Sequence, residues 1–149
     1  SRQMEYPVLL DDPPPLISVY SLESVIAEKF EAMLSLGMAN SRMKDFYDVA
    51  QLAQTQSFDG AVLTEAVTQT LTRRRTTCPD QPLLFAPEFA LDSVRVSRWK
   101  AFLRSVAADP VDFAATMDLL KDFLVPVYQA HLTNTPMNGQ WDQHSRTWR

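Results

Sequence analysis

The helical character of this chain is set by the stretch SLESVIAEKFEAMLSLG, residues 21–37. Ser21 is a favoured helix N-cap, Glu23 suits the positively polarised first turn, and Gly37 can close the C-terminus in a left-handed turn. At about 100° per residue, the apolar positions share one face: Leu22, Val25, Ile26, Phe30, Met33 and Leu36. The opposite face carries Ser24, Glu28, Glu31 and Ser35. We therefore predict an amphipathic helix over residues 22–36.

Lys29 is the charge that this pattern does not explain, because it falls inside the apolar arc. Desolvating an ammonium group costs several kcal/mol unless an anion or a carboxylate faces it. In one interpretation the stem of Lys29 lies on the core while its head reaches water. In the other, the lysine points into a site where it meets phosphate. The pattern of this helix leaves both interpretations open.

A second helix, capped by Asn40 or Ser41, is predicted to continue to about Thr55. Its apolar arc consists of Met43, Phe46, Tyr47, Val49, Ala50, Leu52 and Ala53. Asp45 sits at the margin of that arc, and Asp48 lies farther toward the polar side. This helix therefore also carries a charge beside its buried face.

Two interpretations apply to Asp45. Arg42 precedes it by three residues, so the two side chains could simply form an ion pair worth a few tenths of a kcal/mol if exposed. Alternatively, a carboxylate held beside buried surface near Lys29 could act as a general base. Helices joined by a short connection usually pack antiparallel. We therefore expect Lys29 and Asp45 to converge on one open surface.

Three further helices are predicted in the rest of the chain. The break at Phe58-Asp59-Gly60 precedes a helix over about 60–74, and Asp92 can cap the next, which reaches about Ala107. Asp109-Pro110 opens a last helix that reaches about His131.

Prolines shape the segments between these helices. Pro79, Pro82 and Pro87 make residues 76–90 a loop, with one extended piece at Leu83-Leu84-Phe85. Pro126 is expected to kink the last helix.

The two ends of the chain lack a helical pattern. The apolar start and the prolines after it predict an edge strand and a stiff connector over residues 1–15, without a partner strand in this chain. Residues 132–149 are predicted to form an irregular tail, ordered only where Trp141 or Trp148 meets a partner surface. With a helical domain over residues 16–131, the predicted fold is all-α, a bundle of about five helices with a short extended segment.

Charge is distributed unevenly along the chain. The net charge is −4, yet residues 73–104 hold seven basic and three acidic side chains. The residues of this basic region that could contact an RNA backbone are Arg73, Arg74, Arg75, Arg95 and Arg98. An ordinary solvated helix face is the competing explanation. RNA contacts would make affinity fall steeply with salt.

Composition excludes several classes of protein. At 149 residues the chain has the size of one globular domain, and no stretch approaches the length of an apolar membrane span. Cys78 is the single cysteine, which excludes an internal disulfide and predicts a reducing, cytoplasmic location. His131 and His144 are isolated in sequence, so we predict no metal site in this chain.

Residues 20–48 resemble the AbiEii/AbiGii nucleotidyltransferase family. Lys29-Phe30-Glu31-Ala32 matches the family's Lys-x-x-Ala motif, and Arg42-Met43-Lys44-Asp45-Phe46-Tyr47-Asp48 matches its Arg-x-Lys-Asp-x-x-Asp motif. The family's other two motifs, Gly-Ser and Asp-x-Asp, belong to an N-terminal polymerase-β-like domain. Neither occurs in this sequence. The resemblance therefore implies the C-terminal helical part of such an enzyme, with the extended start left from a missing nucleotidyltransferase domain.

The resemblance also implies a function. In the complete enzyme, a toxin of a bacterial type IV toxin–antitoxin (abortive infection) system, nucleotides pass from a nucleoside triphosphate to an acceptor such as tRNA. Mg²⁺ would be held by the Asp-x-Asp pair. Carried over to this chain, Lys29 and Arg42 bind the nucleotide, and Asp45 and Asp48 take catalytic roles. We expect the chain alone to be inactive. The alternative is a non-enzymatic helical module that docks a partner such as an antitoxin protein.

Overall fold

The computed structural model describes residues 3–5, 19–36 and 42–149, and it is mostly helical. The α-helices of this part of the chain are α1 Leu22–Leu36, α2 Met43–Thr55, α3 Gly60–Arg73, α4 Pro87–Leu91, α5 Ser93–Ser105 and α6 Phe113–Thr133. One 3-10 turn covers Leu83–Phe85. Gly37, Asn40 and Ser41, which were predicted to close α1 or to cap α2, lie outside the described residues.

Three helices begin at side-chain caps, and two of these caps, Ser21 and Asp92, are predicted from the sequence. The Ser21 hydroxyl accepts a hydrogen bond from the backbone N–H of Ser24 at 3.0 Å, in the first turn of α1. Asp59 accepts from the first backbone N–H groups of α3, and Asp92 accepts from Arg95 N in α5. Such a side chain satisfies N–H groups that have no partner inside the helix. The predicted bounds of α1 are confirmed, and those of α3 differ by one residue.

Two small antiparallel sheets correct the all-α prediction. β1, Gln3–Glu5, pairs with β2, Val19–Ser21, in the register Gln3↔Ser21. The expectation that the N-terminal strand has no partner in this chain is therefore wrong, because a strand of three residues is too short to show an alternating pattern. The predicted proline connector, residues 11–15, lies outside the described residues.

The second sheet replaces the predicted irregular tail. β3, Phe58–Asp59, pairs with β4, Gln140–Asp142, which pairs with β5, Thr147–Trp148. The Gly60 N–H donates to Gly139 O at 2.8 Å, and a Cβ at Gly60 would lie only 2.7 Å from that oxygen. Trp141 is fully buried, so the partner surface for the tail is the chain's own core.

The segment between α3 and α5 is more helical than predicted. Leu83–Phe85 is a 3-10 turn rather than an extended piece, and Pro87 opens α4 instead of prolonging a loop. Proline is favoured at the first position of a helix, because its fixed φ suits the helix and its missing N–H would have no partner there. The last helix begins at Phe113, three residues after Pro110, and continues through Pro126.

The core is built around α6. α6 packs against α2, α3 and α4, and α1 packs mainly against α3 and also against α2. The buried side chains of α6 include Phe123, Leu124 and Val127, none of which is exposed to solvent. α1, α2 and α3 thus form one side of the molecule. Among the described residues, no helix is long and apolar enough to cross a membrane.

Candidate functional site

Five charged side chains form one network where α1 meets the first turns of α2. Lys29 Nζ lies 3.3 Å from Asp45 Oδ1 and 3.1 Å from Asp48 Oδ2. Arg42 Nε lies 3.3 Å from Asp45 Oδ2, and Lys44 Nζ lies 2.6 Å from Asp48 Oδ2. The structure thus brings Lys29, Arg42, Asp45 and Asp48 together, and the expected convergence of Lys29 and Asp45 is observed.

Lys29 keeps its charge in this network. Partial burial lowers the pKa of Lys29, but hydrogen bonds and charge interactions with Asp48 and then Asp45 outweigh it and raise the pKa above its ordinary value. The lysine side chain is 23% exposed. It is therefore a protonated ammonium group, reachable from solvent and held in place by two carboxylates.

Asp45 is the buried member of the pair of carboxylates. Its side chain is 4% exposed, whereas that of Asp48 is 26% exposed. Asp45 stands in the first turn of α2, where the helix dipole favours a negative charge. One of its oxygens, Oδ2, is enclosed and accepts no hydrogen bond among the described residues, although Arg42 lies close to it. Asp45 therefore holds Lys29 and Arg42 in place through ion pairs, and it does not present a free oxygen to solvent.

A cleft of about 750 Å³ opens beside this network. α1 forms its floor, the start of α2 forms one wall, and α3 forms the other. Its basic side chains are Lys29, Arg42, Arg73 and Arg74, against two acidic ones, Glu28 and Asp45. The volume falls in the range of small-molecule sites, and the excess of positive charge suits an anionic ligand.

Glu28 links the floor of the cleft to the α3 wall. Its carboxylate pairs with Arg73 Nη2, and its Oε1 lies 2.6 Å from Arg74 Nη2. Glu31, one turn farther along α1, lies 3.5 Å from Arg74 Nη1 and accepts a hydrogen bond from Thr76 at 2.7 Å. Adjacent residues of α1 thus serve opposite walls, because Glu28 faces α3 while Lys29 faces α2.

Sequence reasoning missed Glu28 and Glu31 as residues of the site. Both were placed on the solvated face of the first helix, yet Glu31 is only 6% exposed. The available signal was the spacing of three residues between the two carboxylates, which places them on one side of α1. This spacing becomes informative only when the arginines at the end of α3 are known to lie beside it, and they are more than 40 residues away in sequence.

Of the five candidate RNA contacts, two line the cleft. Arg73 and Arg74 line it, and Arg75 follows them as an exposed residue with φ 52°. Arg98 is exposed on α5 and is not among the residues that line the cleft. The prediction that Arg95 contacts RNA is wrong, because Arg95 is only 2% exposed.

Arg95 is buried because of its local partners. Its guanidinium donates to Phe89 O at 2.9 Å and stacks over the Phe89 ring at 3.8 Å. On α5 it shares the inward face with Trp99 and Leu103, at intervals of four residues. This side chain therefore joins α4 to α5, a structural role.

Cys78 and His131 meet outside the cleft. Cys78 Sγ lies 3.9 Å from His131 Nε2, and Thr68 Oγ1 lies 2.9 Å from His131 Nδ1. Burial raises the pKa of Cys78 and lowers the pKa of His131. A neutral thiol beside a neutral imidazole is a poor nucleophile, so we interpret this contact as packing.

The described residues do not fit a Mg²⁺ site. They contain no group of three or more His, Cys, Asp and Glu side chains that could hold a metal ion. Asp45 already faces Lys29 and Arg42, and Asp48 already faces Lys29 and Lys44. Carboxylates so engaged with cations are not available to a divalent ion in this arrangement.

Comparison with known proteins places this site in a family. No curated protein and no solved structure matched the chain. Residues 1–126 match the family described as "Nucleotidyl transferase AbiEii toxin, Type IV TA system". This span includes the charged network and every residue that lines the cleft. Because the match covers most of the chain, the protein belongs to the AbiEii nucleotidyl transferase toxin family of type IV toxin–antitoxin systems.

Proposed function

We propose that this chain forms the nucleotide-binding side of a nucleotidyltransferase toxin, and that its cleft between α1, α2 and α3 receives the phosphates of a nucleoside triphosphate. The observation that carries the proposal is that Lys29 and Arg42 both line that cleft and are both held there by Asp45. A guanidinium and an ammonium group are the side chains that bind phosphate best.

The reaction is transfer of a nucleotidyl group. An acceptor hydroxyl oxygen forms a bond to the α-phosphorus of the triphosphate as its proton passes to water, the bond from that phosphorus to the oxygen that bridges it to the β-phosphorus breaks, and pyrophosphate leaves. Lys29 and Arg42 stabilise negative charge on the phosphates and orient them. A tRNA end is the acceptor we propose, with Arg73, Arg74 and Arg75 close to its backbone.

Asp45 is assigned to positioning in this proposal. Its burial and its contacts with Lys29 and Arg42 suit a residue that holds both cations in place. A role as general base would require the ion pairs to open, because the acceptor hydroxyl must come within hydrogen-bond distance of a carboxylate oxygen. Asp48 is the more exposed carboxylate and completes the network around Lys29.

Catalysis needs groups that this sequence does not contain. Neither a Gly-Ser nor an Asp-x-Asp motif occurs in it, and the carboxylates of the cleft do not fit Mg²⁺. We propose that a nucleotidyltransferase domain carrying those motifs holds the metal ion and the rest of the nucleotide. Membership of a toxin–antitoxin family makes an antitoxin protein the candidate regulator of the complete enzyme.

Nucleotide binding by the chain itself tests the proposal. Titration calorimetry with a nucleoside triphosphate should show binding that Lys29→Ala weakens by about tenfold, since a charged hydrogen-bonding partner is lost. Lys100→Ala is the matched control, because Lys100 is exposed on α5 and does not line the cleft. Equal affinity of the Lys29→Ala variant and the wild type would contradict the proposal.

A transfer assay tests the second half of the proposal. The pure chain, incubated with labelled nucleoside triphosphates, Mg²⁺ and tRNA, should leave the tRNA unlabelled, because the metal-binding motif is absent from its sequence. Metal-dependent labelling by the pure chain would refute this expectation and would require a metal site in the residues of this chain.

A further inference from the structure

The α3 wall of the cleft carries an arrangement that the family motifs do not include. Arg73 and Arg74 are neighbours in sequence, and their guanidinium groups both pair with the carboxylate of Glu28. Thr70 Oγ1, on the same wall, lies 3.5 Å from Glu28 Oε2. Two cations, a hydroxyl and one carboxylate are therefore gathered on one side of the cleft.

The ion pairs of the two arginines with Glu28 add little stability. The side chains of Arg73 and Arg74 are 60% and 53% exposed, and ion pairs at such exposure contribute from nothing to about 1 kcal/mol. Two arginines in a row at a helix end repel each other, and without a shared anion they would extend separately into solvent. Glu28 instead holds both heads over the floor of the cleft.

The arginines keep unused donors in this arrangement. Each guanidinium has five N–H groups, and one carboxylate engages only some of them. Arg74 is further restrained by Glu31, which is buried and receives a hydrogen bond from Thr76. Two guanidinium groups are thus held near each other with N–H groups left for a further anion, and a guanidinium is the side-chain group that binds a phosphoryl group in a bidentate manner.

We propose that Arg73 and Arg74, oriented by Glu28, form a second phosphate-binding subsite of the cleft, on the wall opposite Arg42 and Asp45. Its ligand is a phosphoryl group, either of a nucleoside triphosphate or of a polynucleotide backbone. The inference rests on the proposed function, in which Lys29 and Arg42 bind phosphate at the other wall. Glu28 is a positioning residue, which acts through the two arginines.

The first experiment compares two double variants with equal loss of charge. Affinity for sodium tripolyphosphate and for a single-stranded RNA oligonucleotide is measured by titration calorimetry for wild type, Arg73→Gln/Arg74→Gln and Lys100→Gln/Arg104→Gln. Lys100 and Arg104 are exposed on α5 and do not line the cleft. We expect about tenfold weaker binding of at least one ligand in the first variant, and less than about twofold weaker binding in the second.

The two ligands identify the source of the phosphate. Weaker binding of tripolyphosphate alone assigns the subsite to the nucleotide, and weaker binding of RNA alone assigns it to the acceptor backbone. Either result supports the subsite. Equal losses in both double variants, or no loss in the cleft variant, would overturn it, because the arginines would then act only through the overall charge.

Glu28→Gln tests the positioning role through the sign of its effect. Removing a negative charge from the cleft should strengthen anion binding if Glu28 acts only through its field or competes with phosphate. Positioning predicts the opposite, a loss of about threefold or more, since restraint of two rotamer-rich side chains is lost. Stronger binding by Glu28→Gln would overturn the positioning role. Its thermal midpoint, compared with wild type, checks that the fold is intact.

Lys29→Ala separates this inference from the proposed function. If Lys29→Ala weakens tripolyphosphate binding while Arg73→Gln/Arg74→Gln weakens the binding of neither ligand, the nucleotide site stands and the second subsite fails. If only the arginine pair matters, the subsite stands and the assignment of Lys29 fails. Absence of binding by the wild-type chain to both ligands would overturn the subsite, and the proposed function would then be judged by nucleoside triphosphate binding alone.

Discussion

His131 links the stability of the protein to pH at the scale of one residue. Burial lowers the pKa of His131 below its ordinary 6.5, whereas the unfolded chain keeps the ordinary value. The unfolded state therefore binds the proton more readily. The stability contributed by the neutral imidazole is fully present above pH 6.5 and is lost as the pH falls through the folded pKa.

Substitution of His131 should remove this dependence. The free energy of unfolding is measured by urea denaturation at pH 7.5 and pH 5 for wild type and His131→Asn. We expect any advantage of the wild type over His131→Asn to shrink toward pH 5. His144→Asn is the control, because His144 is exposed. A difference between wild type and His131→Asn that stays constant between the two pH values would contradict the burial argument.

At the same scale, the sequence was informative where a residue broke a local pattern. Lys29 stood out because it interrupts an apolar arc, and Asp45 because it lies at the margin of the next one. Glu28 fits the polar face of its own helix, and Arg95 fits a basic helix face. The environment of Glu28 depends on Arg73, and that of Arg95 depends on Phe89. Helical periodicity does not encode such contacts between elements.

Among the secondary-structure elements, Asp59 joins the β3–β4 pairing to α3, the helix that ends at Arg73. It pairs with Gln140 through β3 and β4, and its side chain caps α3 by accepting from Ala61 N at 2.9 Å. An N-cap contributes about 1 kcal/mol, and asparagine caps nearly as well as aspartate. The loss of stability on removing this cap is therefore large enough to measure.

We expect Asp59→Ala to lower the free energy of unfolding by about 1 kcal/mol and Asp59→Asn by only a few tenths. Urea denaturation monitored by far-ultraviolet circular dichroism measures both. The asparagine variant controls for the cap, since it keeps a side-chain oxygen and removes the charge. If both variants lost the same stability, the charge of Asp59 rather than its hydrogen bonds would be responsible.

Elements with local signals were predicted well, and those without them were not. α1, α2, α3 and α5 have caps or regular apolar spacing, and their predicted bounds lie within about two residues of those observed. α4 was missed because Pro87 was interpreted as a breaker, although it occupies the one helix position that favours proline. The strands of the C-terminal hairpin, β4 and β5, are too short for an alternating pattern, and β4 pairs with Phe58–Asp59, some 80 residues earlier in the chain.

At the scale of the whole molecule, the C-terminal hairpin completes the core. Trp141 is fully buried, its indole N–H donates to Ala53 O at 2.7 Å, and its ring lies 4.8 Å from that of Phe123. Trp148 stacks on the Phe123 ring at 5.8 Å and is only partly buried. The end of the chain therefore ties α2 to α6 from the side of the molecule that does not line the cleft.

Trp141→Ala should be the more damaging of two matched substitutions. Truncating a buried tryptophan costs about 3–5 kcal/mol, a large part of the 5–15 kcal/mol that stabilises a typical domain. Trp148→Ala removes a ring of the same size from a half-buried position and should cost clearly less. Urea denaturation followed by circular dichroism gives both values. Equal losses would mean that the hairpin acts as one unit and that the burial of Trp141 is not the decisive contact.

The same two variants separate the stability of the molecule from the function of its cleft. No hairpin side chain lines the cleft, so the folded Trp148→Ala protein should bind tripolyphosphate with an affinity within about twofold of wild type. Trp141→Ala should show the same affinity under conditions where it remains folded, for example at low temperature with the folded fraction measured in parallel. Weaker binding by a fully folded hairpin variant would show that the hairpin is coupled to the α1–α2–α3 side. Two routes connect the hairpin to the cleft: Trp141 contacts Ala53 of α2, the helix that also carries Asp45, and β4 pairs with β3, which leads into α3.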